Sequence, residues 1–203
     1  MPAPAGTPAD AMEPHTPGAV EARREIIEKN TGVANLDAQA RGAGKPVSKL
    51  QHEYTSRIAW TGNRGEGTSS YRAYDRTWDI ATPGKPVVHC SNDPLLGGNP
   101  ALANPEDLLL SSLAACHMLW YLHYASEAGM VVLSYQDDPV GVGETSPSGA
   151  GRFLSALLRP HIVMRAGSDL AKADAIHHRI HEVCFIARSV NFPMSCAATY
   201  ATA

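Results

Sequence analysis

The densest apolar stretch of the chain covers residues 108–124. There Leu108, Leu109, Leu110, Leu113, Ala114, Ala115, Met118, Leu119 and Trp120 surround a helical wheel on most sides. A helix that is apolar all round predicts a buried element. Its start is marked by Asn104-Pro105-Glu106-Asp107. These supply an N-cap, a proline suited to the first helical position and two acids at the positive end of the dipole. Gly129 predicts the end, close to Glu127.

Before this helix the pattern changes to short extended pieces. Residues 52–60 are rich in aromatic and β-branched side chains and predict a strand. Residues 61–67 form a glycine-rich turn, and residues 68–74 predict the returning strand of a hairpin. Shorter extended pieces follow at 77–81 and 86–90, then a loop over 93–103. After the helix, residues 130–135 predict a strand, with turn signals at Asp138-Pro139 and over 146–151. Residues 152–165 read as one long strand alternating at Leu158, Pro160, Ile162 and Met164. Ser168 or Asp169 caps a second helix over about 170–189, and residues 194–200 form a last strand. The order β-β-β-α-β-β-α-β predicts an α+β fold, antiparallel sheet with two long helices packed on it. Residues 1–48, rich in Pro, Ala and Gly, predict a largely disordered or loosely helical extension to a domain over 49–203.

Charge and cysteine content narrow the function. A net charge of −3 supplies no basic face for nucleic acid or an anionic membrane surface. No run reaches the roughly 18 uninterrupted apolar residues of a membrane span. The first 20 residues lack the apolar core of a secretory signal, so a soluble, cytoplasmic protein is expected. Cys90, Cys116, Cys184 and Cys196 are far apart and form no C-x-x-C pair. That spacing suits a reducing compartment in which thiols serve reactivity.

Cys116 lies in the first helix and Cys184 in the second. Buried cysteine is a common small core residue. The two thiols could pair only if packing brought their Cα atoms within about 4.4–6.8 Å. A rival set is His177, His181 and Cys184, whose i, i+4, i+7 spacing shares one helix face, with His117 as a further ligand. These are zinc-ligand types, although neither H-E-x-x-H nor paired cysteines accompany them. Arg64 at the turn and Glu106 at the helix start read, on their own, as solvated charges. Cys90 and Cys196 read as structural.

Asn104-Pro105-Glu106-Asp107-Leu108-Leu109 followed by Leu113-Ala114-Ala115-Cys116 resembles the N-P-E-x-L … A-A-C helix of the OsmC/Ohr family of thiol-dependent organic hydroperoxide reductases. Thr61-Gly62-Asn63-Arg64-Gly65 is similar to the family's arginine-bearing turn. The resemblance covers about residues 50–202. It implies Cys116 as peroxidatic nucleophile, Cys184 as resolving thiol, Arg64 holding the thiolate and peroxide, and Glu106 orienting Arg64. Arg72 or Arg76 would take that place under another hairpin register. It implies no cofactor, an organic hydroperoxide substrate, and a dithiol reductant such as a lipoyl group or a small thiol. Leu109, Leu113, Met118 and Trp120 would line an apolar pocket.

Three departures from the family pattern imply a general OsmC-like branch. Phe185-Ile186-Ala187 follows Cys184 where many members have Cys-Pro, His117-Met118 replaces a frequent aromatic, and the 75–103 loop is long. A non-catalytic binding or sensing protein, with a metal at His177, His181 and Cys184, is the alternative. Glu106 and Cys116 are ten residues apart, about 15 Å along a helix. Glu106 is therefore expected to serve the Cys116 of a partner in an intertwined homodimer.

Overall fold

A computed structural model describes residues 51–203, and the extension read over residues 1–48 lies outside them. The strands are β1 (Arg57–Trp60), β2 (Trp78–Ala81), β3 (Val88–Cys90), β4 (Val132–Asp137), β5 (Val140–Thr145), β6 (Gly151–Leu158), β7 (Pro160–Met164), β8 (Met194–Cys196) and β9 (Thr199–Thr202). The helices are α1 (Pro105–Glu127), α2 (Leu170–Ala175) and α3 (His177–Ile180), with 3₁₀ turns at Pro94–Leu96 and Ala187–Ser189. Three three-stranded sheets form, in the orders β1-β2-β3, β4-β7-β9 and β5-β6-β8.

The α+β class is as expected, but the strand list is longer than the sequence pattern suggested. Residues 68–74 make only an isolated bridge, between Asn63 and Tyr74, and the strand that returns against β1 is β2. The expected strand over 152–165 is divided at Arg159 into β6 and β7, which belong to different sheets. The expected strand over 194–200 is divided in the same way into β8 and β9. Those two strands pair parallel to β6 and β7, so the sheets are not purely antiparallel. A crossover through α2 and α3 returns the chain in the starting direction, which makes a parallel pair available.

α1 begins as its cap predicted. The Asn104 side chain accepts from the Asp107 amide at 2.7 Å, and the Asp107 carboxylate accepts from the Asn104 amide at 3.1 Å. This reciprocal capping box satisfies two backbone donors at once. Gly129, at φ +68°, turns the chain out of the helix, and the Met130 amide donates to the Ala125 carbonyl at 2.9 Å.

Within one chain α1 is covered along a stripe rather than all round. Leu113, His117, Tyr121 and Ala125 are buried at four-residue spacing, while Leu119 is 62% exposed. Four-residue steps keep side chains on one helix face. Tyr121 and Ala125 join Ile162, Met164, Ala173, Ile176, Ile180 and Cys184 in the core.

The expected second long helix is a series of short turns. Arg179 donates to Ile176, Glu182 to Arg179 and Val183 to Ile180, all i→i−3 bonds that tighten the chain and end the α-helix at Ile180. Its first cap, Asp169, is as expected, accepting from the Lys172 amide at 3.1 Å.

Candidate functional site

Cys116 sits midway along α1, half-buried against the core, and Cys184 lies fully buried just beyond α3. Their sulfurs are 2.8 Å apart, and both cysteines are free thiols. Cys184 donates to Cys116. Burial first, and this hydrogen bond second, push the Cys184 thiol up to about 11, while the Ala187 amide, 3.4 Å from its sulfur, pulls the other way. Cys184 therefore stays protonated at neutral pH. Cys116 is left as the accepting sulfur. Trp120 and Ile186 pack against the same core. Of the residues expected to line an apolar pocket, Leu113 is fully buried, while Leu109 and Met118 are half-buried.

Of the other expected site residues, Arg64 and Glu106 are both exposed. Arg64 is exposed in the loop between β1 and β2 and is tied to that loop. It donates to the carbonyls of Ala73, at 3.3 Å, and Arg72, and its Nε lies 3.8 Å from the Asp75 carboxylate. Arg76 stacks its guanidinium 3.9 Å from the Tyr71 ring centroid and donates to the Tyr71 carbonyl at 2.9 Å. Arg72 is exposed and offers its carbonyl to Arg64. Glu106 is exposed on the first turn of α1. Cys116 and Cys184 are thus brought into contact, whereas the polar contacts of Arg64 run to Arg72, Ala73 and Asp75.

The metal set expected at His177, His181 and Cys184 does not assemble. His181 is exposed, the Cys184 sulfur faces Cys116, and His177 faces His117. The shared helix face needed a continuous helix, and α3 ends at Ile180.

What the sequence reading missed is the grouping of His117 and His177 with Cys196. His117 Nε2 and His177 Nδ1 are 2.7 Å apart, with rings 7° from parallel, and Cys196 Sγ lies 3.5 Å from the same His177 nitrogen. The other His177 nitrogen is 3.0 Å from the Tyr200 hydroxyl, and Tyr121 stacks on the ring. Burial holds both imidazoles well below the usual histidine range, to about 4, with the neighbouring His177 adding to the shift on His117. Both are neutral at physiological pH. The available signal was a histidine beside each of two mid-chain features, Cys116 and the Asp169-capped helix. Nothing in local spacing tied them to Cys196.

Comparison with known proteins follows the same outline. The family model described as OsmC-like protein matches residues 97–198. No curated protein sequence matches the chain. Among solved structures, an OsmC-like protein of unknown function from Vibrio cholerae is 26% identical with a TM-score of 0.67, over 73% of this chain and 100% of that one. An organic hydroperoxide resistance protein from Legionella pneumophila has the same fold at 18% identity and TM-score 0.55, over 75% and 99% of the two chains. A putative organic hydroperoxide resistance protein from Vibrio cholerae, with captopril bound in one of its active sites, shares it at 19% identity and TM-score 0.53, over 76% and 95%. Among the described residues, no helix is long and apolar enough to cross a membrane.

Proposed function

The chain belongs to the OsmC-like protein family, and from that membership we propose that it is a thiol-dependent peroxidase reducing organic hydroperoxides to alcohols through Cys116. The observation that carries this reading is the 2.8 Å separation of the Cys116 and Cys184 sulfurs. Two thiols in contact, one kept protonated and donating to the other, supply a nucleophile and a resolving partner together.

The steps balance without a cofactor. The Cys116 sulfur attacks the distal oxygen of R–O–O–H, the O–O bond breaks, and an alcohol leaves as Cys116 becomes a sulfenic acid. The Cys184 sulfur then attacks the sulfenic sulfur, and the displaced hydroxyl leaves as water with the thiol proton. The resulting disulfide is reduced by an external dithiol, a lipoyl group or a small thiol, which is itself oxidised to a disulfide. Burial of Cys184 beside its target removes the search for a resolving thiol and shortens the life of the sulfenic acid, which limits over-oxidation.

Arg64 supplies positive charge to the thiolate and the peroxide, and Glu106 orients it. A guanidinium beside a thiol lowers its pKa and raises the reactive fraction. With its own Cys116 about 15 Å away along α1, Glu106 acts across a homodimer. Apolar side chains left open on one chain support such a partner: Leu119 is 62% exposed, Ile58 59% and Trp60 45%.

The test is dithiol-dependent turnover of an alkyl hydroperoxide by wild type, Cys116→Ser and Cys184→Ser. Wild type turns over, Cys116→Ser falls to the uncatalysed rate, and Cys184→Ser loses recycling by a dithiol. Absence of turnover by folded, reduced wild type overturns the proposal.

A further inference from the structure

We propose that His117, His177 and Cys196 form a binding site for a single divalent d-block cation of the zinc class, separate from the Cys116–Cys184 pair. The donors come from three parts of the fold, α1, α3 and β8, and one donor atom of each lies within 4.8 Å of the other two. Two imidazole nitrogens and one thiolate sulfur are a ligand set typical of zinc.

The distances suit an ion after small adjustments. Tetrahedral zinc, with bonds of about 2.0–2.1 Å to nitrogen and about 2.3 Å to sulfur, places such donors roughly 3.3–3.6 Å apart. His177 Nδ1 and Cys196 Sγ already stand at 3.5 Å. The two imidazole nitrogens, at 2.7 Å, are hydrogen-bonded to each other and would open as the ion enters.

The surroundings of the triad suit a cation. His177 holds its other nitrogen against the Tyr200 hydroxyl at 3.0 Å, the arrangement that fixes the tautomer and ring angle of a metal-bound histidine.

Binding is an exchange of protons for metal. The Cys196 thiol gives its proton to solvent as the sulfur–metal bond forms. The proton shared between the imidazoles relocates, leaving His177 Nε2–H to donate to the Tyr200 oxygen. No electron is transferred. The three protein ligands leave a fourth position open. The ion would pin the 178–195 segment at both ends, since His177 precedes it and Cys196 follows it. Neither Cys116 nor Cys184 is a ligand, so the site stands independently of the peroxidase reading.

Cobalt(II) titration of the full-length, reduced, chelator-treated protein is the test. One equivalent of Co²⁺ should give a near-ultraviolet thiolate-to-cobalt charge-transfer band with intense visible bands, and one equivalent of Zn²⁺ should abolish both. Cys196→Ser loses the charge-transfer band, and the Cys116→Ser/Cys184→Ser double variant keeps it. Tyr200→Phe weakens affinity by about 10- to 100-fold. Should Cys196→Ser not fold, loss of the visible bands in His177→Gln and the wild-type stoichiometry still decide. The proposal is overturned if wild type shows no stoichiometric band, if folded Cys196→Ser retains it, or if the double variant loses it.

Discussion

Cys116 and Cys184 are 68 positions apart in the chain, yet their sulfurs meet at 2.8 Å because α1 and the segment after α3 pack through one core. One equivalent of an alkyl hydroperoxide should therefore convert the reduced protein to an intramolecular disulfide. Peptide mapping is expected to find Cys116 joined to Cys184, with Cys90 and Cys196 still free. In Cys184→Ser the same treatment leaves a Cys116 sulfenic acid that a carbon nucleophile such as dimedone traps. A disulfide mapped to any other pair would break the assignment.

The loop that carries Arg64 depends on a close backbone approach at Gly62. A Cβ there would fall 1.8 Å from the Asp75 carbonyl oxygen, and that contact is backbone that cannot swing aside. The Asp75 amide also donates to the Gly62 carbonyl at 2.8 Å. Gly62→Ala is expected to cost about 1–3 kcal/mol of stability through overpacking. It should also slow peroxide reduction by displacing Arg64. Arg64→Lys, which keeps the positive charge and leaves the Gly62 approach untouched, should lower kcat/KM for the hydroperoxide on the order of 10²-fold, as for loss of a positioned charge stabiliser. If Arg64→Lys matches wild type, Arg64 does not serve the thiolate.

Assignment of Glu106 to the partner's site has its own signature. Glu106→Gln and Cys116→Ser homodimers are both expected to be impaired. A heterodimer of the two retains one site with an intact Cys116 from one chain and an intact Glu106 from the other. Unfolding and refolding an equimolar mixture should then restore activity above either parent. No gain on mixing, with heterodimers present by native mass spectrometry, would place Glu106 outside the partner's site.

Sequence and structure agree best where the signals are local. The boundaries of α1 could be read from Asn104, Pro105 and Gly129 because caps act within one turn. β5 was missed because Val140-Gly141-Val142-Gly143 has poor strand propensity. Its glycine is there for a tertiary reason, since a Cβ on Gly141 would meet the Phe153 ring at 2.5 Å. The division of β6 from β7 was hidden as well. Leu158, Pro160, Ile162 and Met164 are all buried, so their alternation continues across a change of sheet. The Cys116–Cys184 contact rested on family resemblance rather than spacing. The His117–His177–Cys196 grouping depends on contacts between elements that no local pattern encodes.

The capping box sets the start of the helix that bears Cys116. Asn104→Ala removes an acceptor for the Asp107 amide, now bonded at 2.7 Å, and should cost about 1 kcal/mol. For a domain of this size that lowers Tm by roughly 2–4 °C. Asn104→Asp or Asn104→Ser, which keep an accepting oxygen, should lie within a few tenths of a kcal/mol of wild type. Thermal unfolding of the three variants separates a cap effect from general disruption at a residue that is 92% buried, since only the alanine would fall if the cap is the cause.

The raised Cys184 thiol gives a pH dependence with a definite sign. Its folded value, about 11, lies above the 9.0 of an exposed thiol, so the native state holds a proton that the unfolded state releases first. Below about pH 9 the stabilisation from keeping Cys184 neutral is fully present. As pH rises through about 11 it is lost, because folding then demands either a buried thiolate or continued protonation. Urea unfolding of the reduced protein should thus show a midpoint that declines from about pH 9 upward. Cys184→Ala removes that thiol, and its decline should be shallower; the remainder comes from Cys90, Cys196, Tyr121, Tyr135 and Tyr200, which burial also raises. The Cys116–Cys184 disulfide has no proton to lose at either sulfur, so the oxidised protein should follow the shallower curve. If reduced wild type and Cys184→Ala decline in parallel, Cys184 is not the protonated donor of the pair.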